Sequence, residues 1–228
     1  MFRDRQEAGE RLAAALLRFK DQQPCVLALP RGGVPVGFEI AKRLNAPLDL
    51  VIVRKIGAPH QPELAIGAVV DGEHPELVVN RHIVDLLGVS DEYLEQEKAR
   101  QVAEIERRRH AYLEGRPRVD IAGKTALIVD DGIATGATIR VALHATRRAR
   151  PKRLILAVPV APTDTLAALR GEADEIICLE DYESFGAISI YYDDFTQVSD
   201  EEVREILARA AALSPAPPAG PGAARGAG

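Results

Sequence analysis

Two adjacent carboxylates at the end of an apolar run are the residues of this chain best placed to do chemistry. The run is Ala126 to Val129, which predicts a buried strand, and Asp130 and Asp131 follow it directly. In an open sheet flanked by helices, ligands bind beyond the carboxyl ends of the strands. We therefore expect this pair to face a ligand. Carboxylates accept hydrogen bonds from hydroxyl groups and stabilise positive charge that develops on a reacting carbon.

The turn after the acids has the composition of a phosphate site. It reads Gly-Ile-Ala-Thr-Gly-Ala-Thr over residues 132–138 and leads into a predicted helix. Gly132 and Gly136 allow the backbone to approach a ligand closely, so several N–H groups can converge on one anion at the positive end of the helix. The hydroxyl groups of Thr135 and Thr138 can add donors. The alternative is a glycine-rich turn with a capping aspartate and no ligand.

The acidic pair separates this turn from other phosphate-binding loops. A Walker loop ends in Gly-Lys-Ser/Thr and a dinucleotide fingerprint reads G-x-G-x-x-G, and the segment matches neither. Two carboxylates would repel a polyphosphate. They suit a ligand that offers hydroxyl groups beside its phosphate, such as a ribose 5-phosphate.

The whole segment, Ala126 to Thr138, resembles the signature with which type I phosphoribosyltransferases bind 5-phosphoribosyl 1-pyrophosphate (PRPP). The resemblance implies that Asp130 and Asp131 hold the ribose hydroxyls as catalytic residues, and that the 5-phosphate is bound by Gly132, Ala134, Thr135, Gly136 and Thr138. It implies transfer of the phosphoribosyl group to a small nitrogen acceptor, which we expect to be a nucleobase. Mg²⁺ is the expected cofactor, bound mainly through PRPP and water, so no residue is predicted as a metal ligand.

Two other places resemble the pyrophosphate-binding parts of that family. Leu29 to Gly33 resembles its pyrophosphate loop, which commonly contains a non-proline cis peptide, here the bond from Pro30 to Arg31, followed by Gly32. Lys55 is expected just past the end of a strand at Leu50 to Val53, where the family has a basic residue that reaches the pyrophosphate. Without the resemblance, these would be an ordinary glycine turn and a surface lysine.

A mobile cover should keep water from PRPP. In the family this cover follows the strand that bears the lysine, so the resemblance implies a cover somewhere between Ala58 and Glu73. His60, Glu63 and His74 lie in or beside this region, and each is more typical of a solvent-exposed loop than of a catalyst.

The segment 181–198 is the candidate for the family's base-binding region, called the hood. It is rich in aromatic residues in a chain that is 4% aromatic, and Tyr191, Tyr192 and Phe195 could stack on a ring. Equally, these aromatic side chains could form the core of a small subdomain. The sequence leaves both interpretations open.

Short apolar runs alternate with predicted helices along the chain, a pattern that indicates βαβ units and a parallel sheet. We expect an α/β fold with a parallel-sheet type I phosphoribosyltransferase core, Rossmann-like, over about 1–57 and 120–180. An insertion over about 58–119 should hold a hairpin from Ala65 to Val79, turning near Asp71, and a charged helix from Asp91 to Leu113. Residues 1–213 would form the domain, and the tail of proline, alanine and glycine over 214–228 is predicted to be disordered.

Composition limits the possible functions. With 46% hydrophobic and 28% charged residues, the chain is predicted to be a soluble, cytoplasmic globular protein without a membrane span. A net charge of −5 argues against nucleic acid as the main partner. The basic runs Arg107 to Arg109, with Arg116 and Arg118, and Arg147 to Arg153 are interpreted as solvated helix ends. Cys25 and Cys178 are expected to be buried small hydrophobes.

Three functions remain in competition. The first is a PRPP-dependent transferase, and the second is a non-catalytic regulatory module that binds PRPP or a nucleotide with the same fold. The third is an interaction protein that docks through its charged helix, which leaves the phosphate turn unexplained. A homodimer is what the family resemblance suggests, although no feature of the sequence tests it.

Overall fold

A parallel sheet of five strands forms the centre of the protein. The computed structural model describes residues 1–72 and 75–213. Its strands are β1 (Pro24–Ala28), β2 (Leu48–Leu50), β6 (Thr125–Val129), β7 (Arg153–Pro162) and β8 (Glu175–Tyr182). They lie in the order β2-β1-β6-β7-β8, and all neighbours pair in parallel. Every residue of β1, β2 and β6 is buried, as a parallel sheet covered on both faces requires. The predicted α/β fold is confirmed.

A second, antiparallel sheet of three strands branches off after β2. Its strands are β3 (Val53–Ala58), β4 (Gln61–Val70) and β5 (Glu76–Val79). The predicted hairpin corresponds to β4 and β5, which pair in antiparallel register. The single strand predicted over 50–53 was wrong, because β2 ends at Leu50 and β3 begins at Val53. Val51 and Ile52 are buried between them, so the apolar run continues across the change of sheet.

Seven α-helices are present in the described residues. They are α1 (Arg5–Leu16), α2 (Gly33–Leu44), α3 (Arg81–Leu87), α4 (Asp91–Leu113), α5 (Ala137–Arg148), α6 (Thr163–Leu169) and α7 (Asp200–Leu213). The bounds predicted for α4 are confirmed. At α7 a capping box forms: the Glu202 N–H donates to Ser199 Oγ at 3.1 Å, and the Ser199 N–H donates to Glu202 Oε2 at 2.7 Å. The short helix α3 was not predicted.

A buried arginine ties α4 to the sheets. Arg109 donates to both carboxylate oxygens of Asp49 on β2, at 2.7 and 2.9 Å, and to Asp71 Oδ2 at 2.9 Å. Its side chain is 7% exposed. Arg118 also pairs with Asp71. The interpretation of this basic run as a solvated helix end was therefore wrong for Arg109, since a buried guanidinium must be paired to be tolerated.

The structure can also be compared with the predictions for the two cysteines, for a membrane span and for the tail. Cys25 is buried, Cys178 is partly buried, and both are free thiols. Burial raises the pKa of the Cys178 thiol to about 12, so it is protonated near neutral pH. Within the described ranges, no helix has the length and apolar character needed to cross a membrane. The predicted disordered tail, 214–228, lies outside the described residues.

Candidate functional site

The two predicted ligand-binding loops lie side by side at the carboxyl edge of the sheet. Strands β1 and β6 are neighbours, with Ala28 opposite Val129. The N–H of Leu29 donates to Val129 O at 2.9 Å, which continues the pairing past the end of β1. The two strands therefore end at the same edge of the sheet, and the loops that follow them begin next to each other. The sheet therefore brings Pro30 to Gly32 next to Asp130 and Asp131, although the two segments are far apart in the sequence.

The contact between the loops is so close that any side chain at position 32 would displace the Asp131 carboxylate. A Cβ atom there would overlap Oδ2 of Asp131 and lie 2.5 Å from its Cγ. At Gly33 a Cβ atom would lie 2.7 Å from Val129 O, a backbone atom of β6. The peptide bond from Pro30 to Arg31 is cis, as predicted.

Asp131 is held by Arg5, a residue that the sequence did not single out. The Arg5 Nε donates to Asp131 Oδ2 at 2.7 Å, and both side chains are 11% exposed. The same guanidinium donates to Thr196 O at 2.7 Å and lies 3.8 Å above the ring of Phe195. On the other side, the Tyr192 hydroxyl donates to the Asp131 carbonyl oxygen at 2.6 Å. The acid is thus fixed from α1 and from the segment before α7.

The surroundings shift the pKa of both acids upwards. Burial raises the pKa of Asp130 well above its usual range, and the neighbouring charge of Asp131 adds to this. Burial also raises the pKa of Asp131, while the Arg5 guanidinium opposes the shift. Asp130 Oδ1 accepts a hydrogen bond at 2.9 Å from the Asp131 N–H, which favours its charged form. Two adjacent buried carboxyl groups with raised pKa values are typical of a functional site.

The turn after the acids is anchored at one point and leaves the N–H groups beyond it available. The Ile133 N–H donates to Val160 O on β7 at 2.9 Å. Within the described ranges, the N–H groups of Ala134, Thr135 and Gly136 find no hydrogen-bond acceptor. Gly136 precedes α5 with a φ of 73°, in the left-handed region that favours glycine. The predicted phosphate-binding turn thus presents free donors at the N-terminus of α5, with Thr138 in the first turn of the helix.

Gly132, the first residue of this turn, is closely packed. A Cβ atom on Gly132 would lie 2.7 Å from Cγ2 of Ile188, so the turn lies directly against the segment that follows β8.

Lys55 lies in a different setting from the one predicted. It is an exposed residue within β3, opposite Ala68, and not a residue past the end of a parallel strand. In β3 its neighbour Arg54 donates to Gln101 of α4 at 3.1 Å. Because successive side chains of a strand point to opposite faces, Lys55 points away from α4. Among the described residues, its ammonium group forms no ion pair within 4.0 Å.

The region expected to hold a mobile cover forms a hairpin. His60 lies at the turn between β3 and β4 with a φ of 62°, and Glu63 is exposed in β4. Both are solvent-exposed, in line with the prediction. Glu73 and His74 lie outside the described residues.

The aromatic segment is mostly core. Tyr191 and Tyr192 are 9% and 5% exposed, and Tyr191 stacks between Tyr182 and Phe185 at ring distances of 4.6 and 4.7 Å. Their rings are therefore covered by protein, and this favours the second interpretation, a small subdomain core. Phe195 is partly exposed, but the guanidinium of Arg5 covers one face of its ring.

The N-terminus completes this subdomain. Phe2 is fully buried against Tyr192, with ring centroids 5.4 Å apart. Backbone hydrogen bonds join Phe2 to Tyr191 and Asp193, at 2.8 and 2.9 Å. The start of the chain and the segment before α7 thus form one unit beside the acids. No local pattern reveals this, because the two segments meet only in the folded chain.

Comparison with known proteins identifies the family to which this fold belongs. A family model described as the phosphoribosyl transferase domain matches residues 4–195. The chain therefore belongs to the phosphoribosyl transferase domain family, as the signature around Asp130 predicted.

Two relatives cover nearly all of this chain. One is Rv0571c of Mycobacterium tuberculosis H37Rv, which is named as a proposed phosphoribosyl transferase. It is 44% identical over 210 residues, which are 92% of this chain and 47% of that protein. This chain thus spans about half the length of that relative. The crystal structure of TT1426 from Thermus thermophilus is 42% identical and superposes with a TM-score of 0.78, covering 92% of this chain and 98% of that one.

Proposed function

We propose that this protein transfers the 5-phosphoribosyl group of PRPP to a nitrogen nucleophile, a nucleobase being the expected acceptor, and releases pyrophosphate. The observation that carries the proposal is the contact between Gly32 and Asp131, because it joins the pyrophosphate loop and the acidic pair into one site. The domain would comprise residues 1–213, with its core over about 1–57 and 120–180, the insertion over about 58–119 and the hood over about 181–198.

Different residues of the site would bind different parts of PRPP. Asp130 and Asp131 would accept hydrogen bonds from the ribose hydroxyls. The 5-phosphate would bind at the turn formed by Gly132, Ala134, Thr135, Gly136 and Thr138, where free N–H groups meet the N-terminus of α5. Arg31 and Gly32 would face the pyrophosphate. Lys55 remains a candidate for the same group if the exposed β3–β4 hairpin bends over the site.

The reaction needs little covalent chemistry from the protein. The bond from the ribose anomeric carbon to pyrophosphate breaks, the acceptor nitrogen bonds to the opposite face of that carbon, and the nitrogen loses a proton. The transition state carries positive charge on the ribose. Asp130 and Asp131, buried beside the ribose, would stabilise this charge, an effect worth about 3 kcal/mol for one well-placed group.

The residues of the proposed site would suit Mg²⁺ that binds together with PRPP. Within the described ranges, no group of three acidic, histidine or cysteine side chains could hold a metal ion alone. Two neighbouring carboxylates beside a pyrophosphate loop suit an ion bound mainly by substrate oxygens and water. Bound there, Mg²⁺ would neutralise the negative charge of the leaving pyrophosphate.

Pyrophosphate release tests the proposal. PRPP and Mg²⁺ would be incubated with nucleobases and other small nitrogen compounds in turn, using the unmodified protein and an Asp130→Asn, Asp131→Asn variant. A matched control is Asp21→Asn, Asp85→Asn, which removes two exposed carboxylates that are not part of the proposed site. We expect release that needs one acceptor, persists in the control and falls at least a hundredfold in the site variant, since two charge-stabilising groups are lost.

The other outcomes separate the alternatives. If no acceptor supports release but calorimetry shows PRPP binding that the site variant loses, the protein is a PRPP-binding regulatory module. If PRPP does not bind at all, both functions are excluded.

A further inference from the structure

A basic cavity of about 350 Å³ opens beside the Pro30–Arg31 loop. Four arginines from three separate parts of the chain line it: Arg31, then Arg107 and Arg108 of α4, and Arg204 of α7. Asp200 is the one carboxylate among the described lining residues. This concentration of guanidinium groups contrasts with the protein's net charge of −5.

The lining carboxylate is already engaged. Asp200 Oδ1 accepts a hydrogen bond from the Tyr112 hydroxyl at 2.6 Å and lies 3.6 Å from Arg31 Nη1. Burial and this hydrogen bond raise the pKa of Tyr112 to about 12, so its hydroxyl stays a donor at neutral pH. One carboxylate with these partners cannot neutralise four guanidinium groups.

The other partners of the arginines are weakly held. Arg107 and Arg108 share Glu104 of α4, at 2.8 and 2.7 Å, and their side chains are 67% and 37% exposed. Arg204 Nη2 is 3.5 Å from Glu201, which is 75% exposed. Exposed ion pairs of this kind contribute little to stability, so an incoming anion of higher charge can replace them.

The cavity borders one particular end of the proposed site. Arg31 lines the cavity, and the next residue, Gly32, contacts Asp131. The cavity is therefore continuous with the loop that would face the pyrophosphate. Guanidinium groups suit the oxygens of phosphoryl groups, because their planar forks donate two parallel hydrogen bonds.

We propose that this basic cavity is a subsite for pyrophosphate, to which α4 and α7 contribute Arg107, Arg108 and Arg204 in addition to the loop residue Arg31. Its ligand is either the pyrophosphate part of bound PRPP or free pyrophosphate. The first source rests on the proposed function, whereas the second does not.

Calorimetry with pyrophosphate, PRPP and ribose 5-phosphate, each with Mg²⁺, tests the subsite. The variant is Arg107→Gln, Arg108→Gln, which removes two charges from an exposed helix face. We expect its Kd for pyrophosphate and PRPP to rise at least tenfold, and its Kd for ribose 5-phosphate, which has no pyrophosphate, to stay within twofold.

The control is Arg100→Gln. Arg100 lies on the same helix, is 71% exposed and pairs with Glu97 at 2.9 Å, as Arg107 does with Glu104, but it does not line the cavity. It should bind all three ligands like the unmodified protein. Melting temperatures would verify that each variant is folded.

The outcomes distinguish this inference from the proposed function. Unchanged binding of both pyrophosphate and PRPP in the double variant would overturn the subsite, and so would an equal loss for ribose 5-phosphate. Weaker binding of pyrophosphate alone identifies free pyrophosphate as its ligand. If the unmodified protein binds pyrophosphate through these arginines but does not bind PRPP, the subsite stands and the proposed function fails.

Discussion

Gly32 and Asp131 are packed so tightly that a single methyl group on Gly32 would overlap the Asp131 carboxylate. The two residues belong to loops that follow neighbouring strands, β1 and β6. Their contact sets the geometry between the pyrophosphate loop and the acidic pair.

This contact predicts different effects for two adjacent glycines. In Gly32→Ala the obstacle is the end of a side chain, which can rotate away, so we expect the fold to survive and the Kd for PRPP to rise at least tenfold. In Gly33→Ala the methyl group meets Val129 O at 2.7 Å and the Cα of Asp130 at 3.0 Å, so the backbone of β6 must move. Such overpacking costs about 1–3 kcal/mol. Melting temperatures and calorimetry with PRPP would check both, and unchanged binding in Gly32→Ala would contradict the first prediction.

Removing Arg5 should destabilise the protein. Arg5→Ala leaves Asp131 largely buried without its counter-charge, and breaking such a pair costs about 3 kcal/mol. Arg3→Ala is the control, because Arg3 is 66% exposed in its pair with Asp4 and should contribute much less to the free energy of unfolding. Urea unfolding at neutral pH measures both free energies. Equal values for the two variants would show that the Arg5 pair has no special weight.

The raised pKa of Asp130 predicts opposite pH dependences for binding and stability. The carboxylate accepts hydrogen bonds from ribose hydroxyls only when ionised, so PRPP binding should weaken as the pH falls through the raised pKa, above the usual value of about 3.9. For the free protein the sign reverses. A raised pKa stabilises the fold below the usual pKa, and this contribution is lost as the pH rises through the raised value.

Asp130→Asn tests the predicted effect on stability, which is measured without PRPP and so is unaffected by the titration of PRPP itself. We expect the variant to be more stable than the unmodified protein at neutral pH, because a buried carboxylate no longer has to ionise there. Its stability should change less with pH. Thermal unfolding from neutral to about pH 5 would test this, and a variant that is less stable at neutral pH would refute it.

The Tyr192 hydroxyl is predicted to support Asp131 from its backbone side. Tyr192→Phe leaves the Asp131 carbonyl oxygen without its 2.6 Å donor in a buried position, which costs about 1–3 kcal/mol. Tyr182→Phe removes a hydroxyl that donates to Glu180 at 2.9 Å in a partly exposed position, so its cost should be smaller. Chemical denaturation of both variants gives the comparison. A larger loss for Tyr182→Phe would mean that the Asp131 carbonyl finds another partner.

Local sequence determined the elements of the core and the acidic turn. The apolar run before Asp130, the alternation of strands with helices and the capping box at Ser199 each act over a few residues, so they can be recognised without knowledge of the fold. The predicted bounds of α4 were also correct. The prediction failed at Leu50 to Val53, where the chain leaves one sheet and enters another. All four residues are apolar, so the hydrophobic pattern does not show where one strand ends and the next begins.

Only the tertiary structure decided what surrounds the acids. Arg5 and Asp131 are separated by 126 positions, and Tyr192 meets Asp131 across 61. Neither pairing leaves a local pattern, since each depends on how the start of the chain packs beside the segment before α7. The same is true of the basic cavity, whose arginines look like ordinary helix ends until Arg31, α4 and α7 are brought together. Charge and burial act through space, so the pKa values of the site and its neighbours follow from the fold and not from residue order.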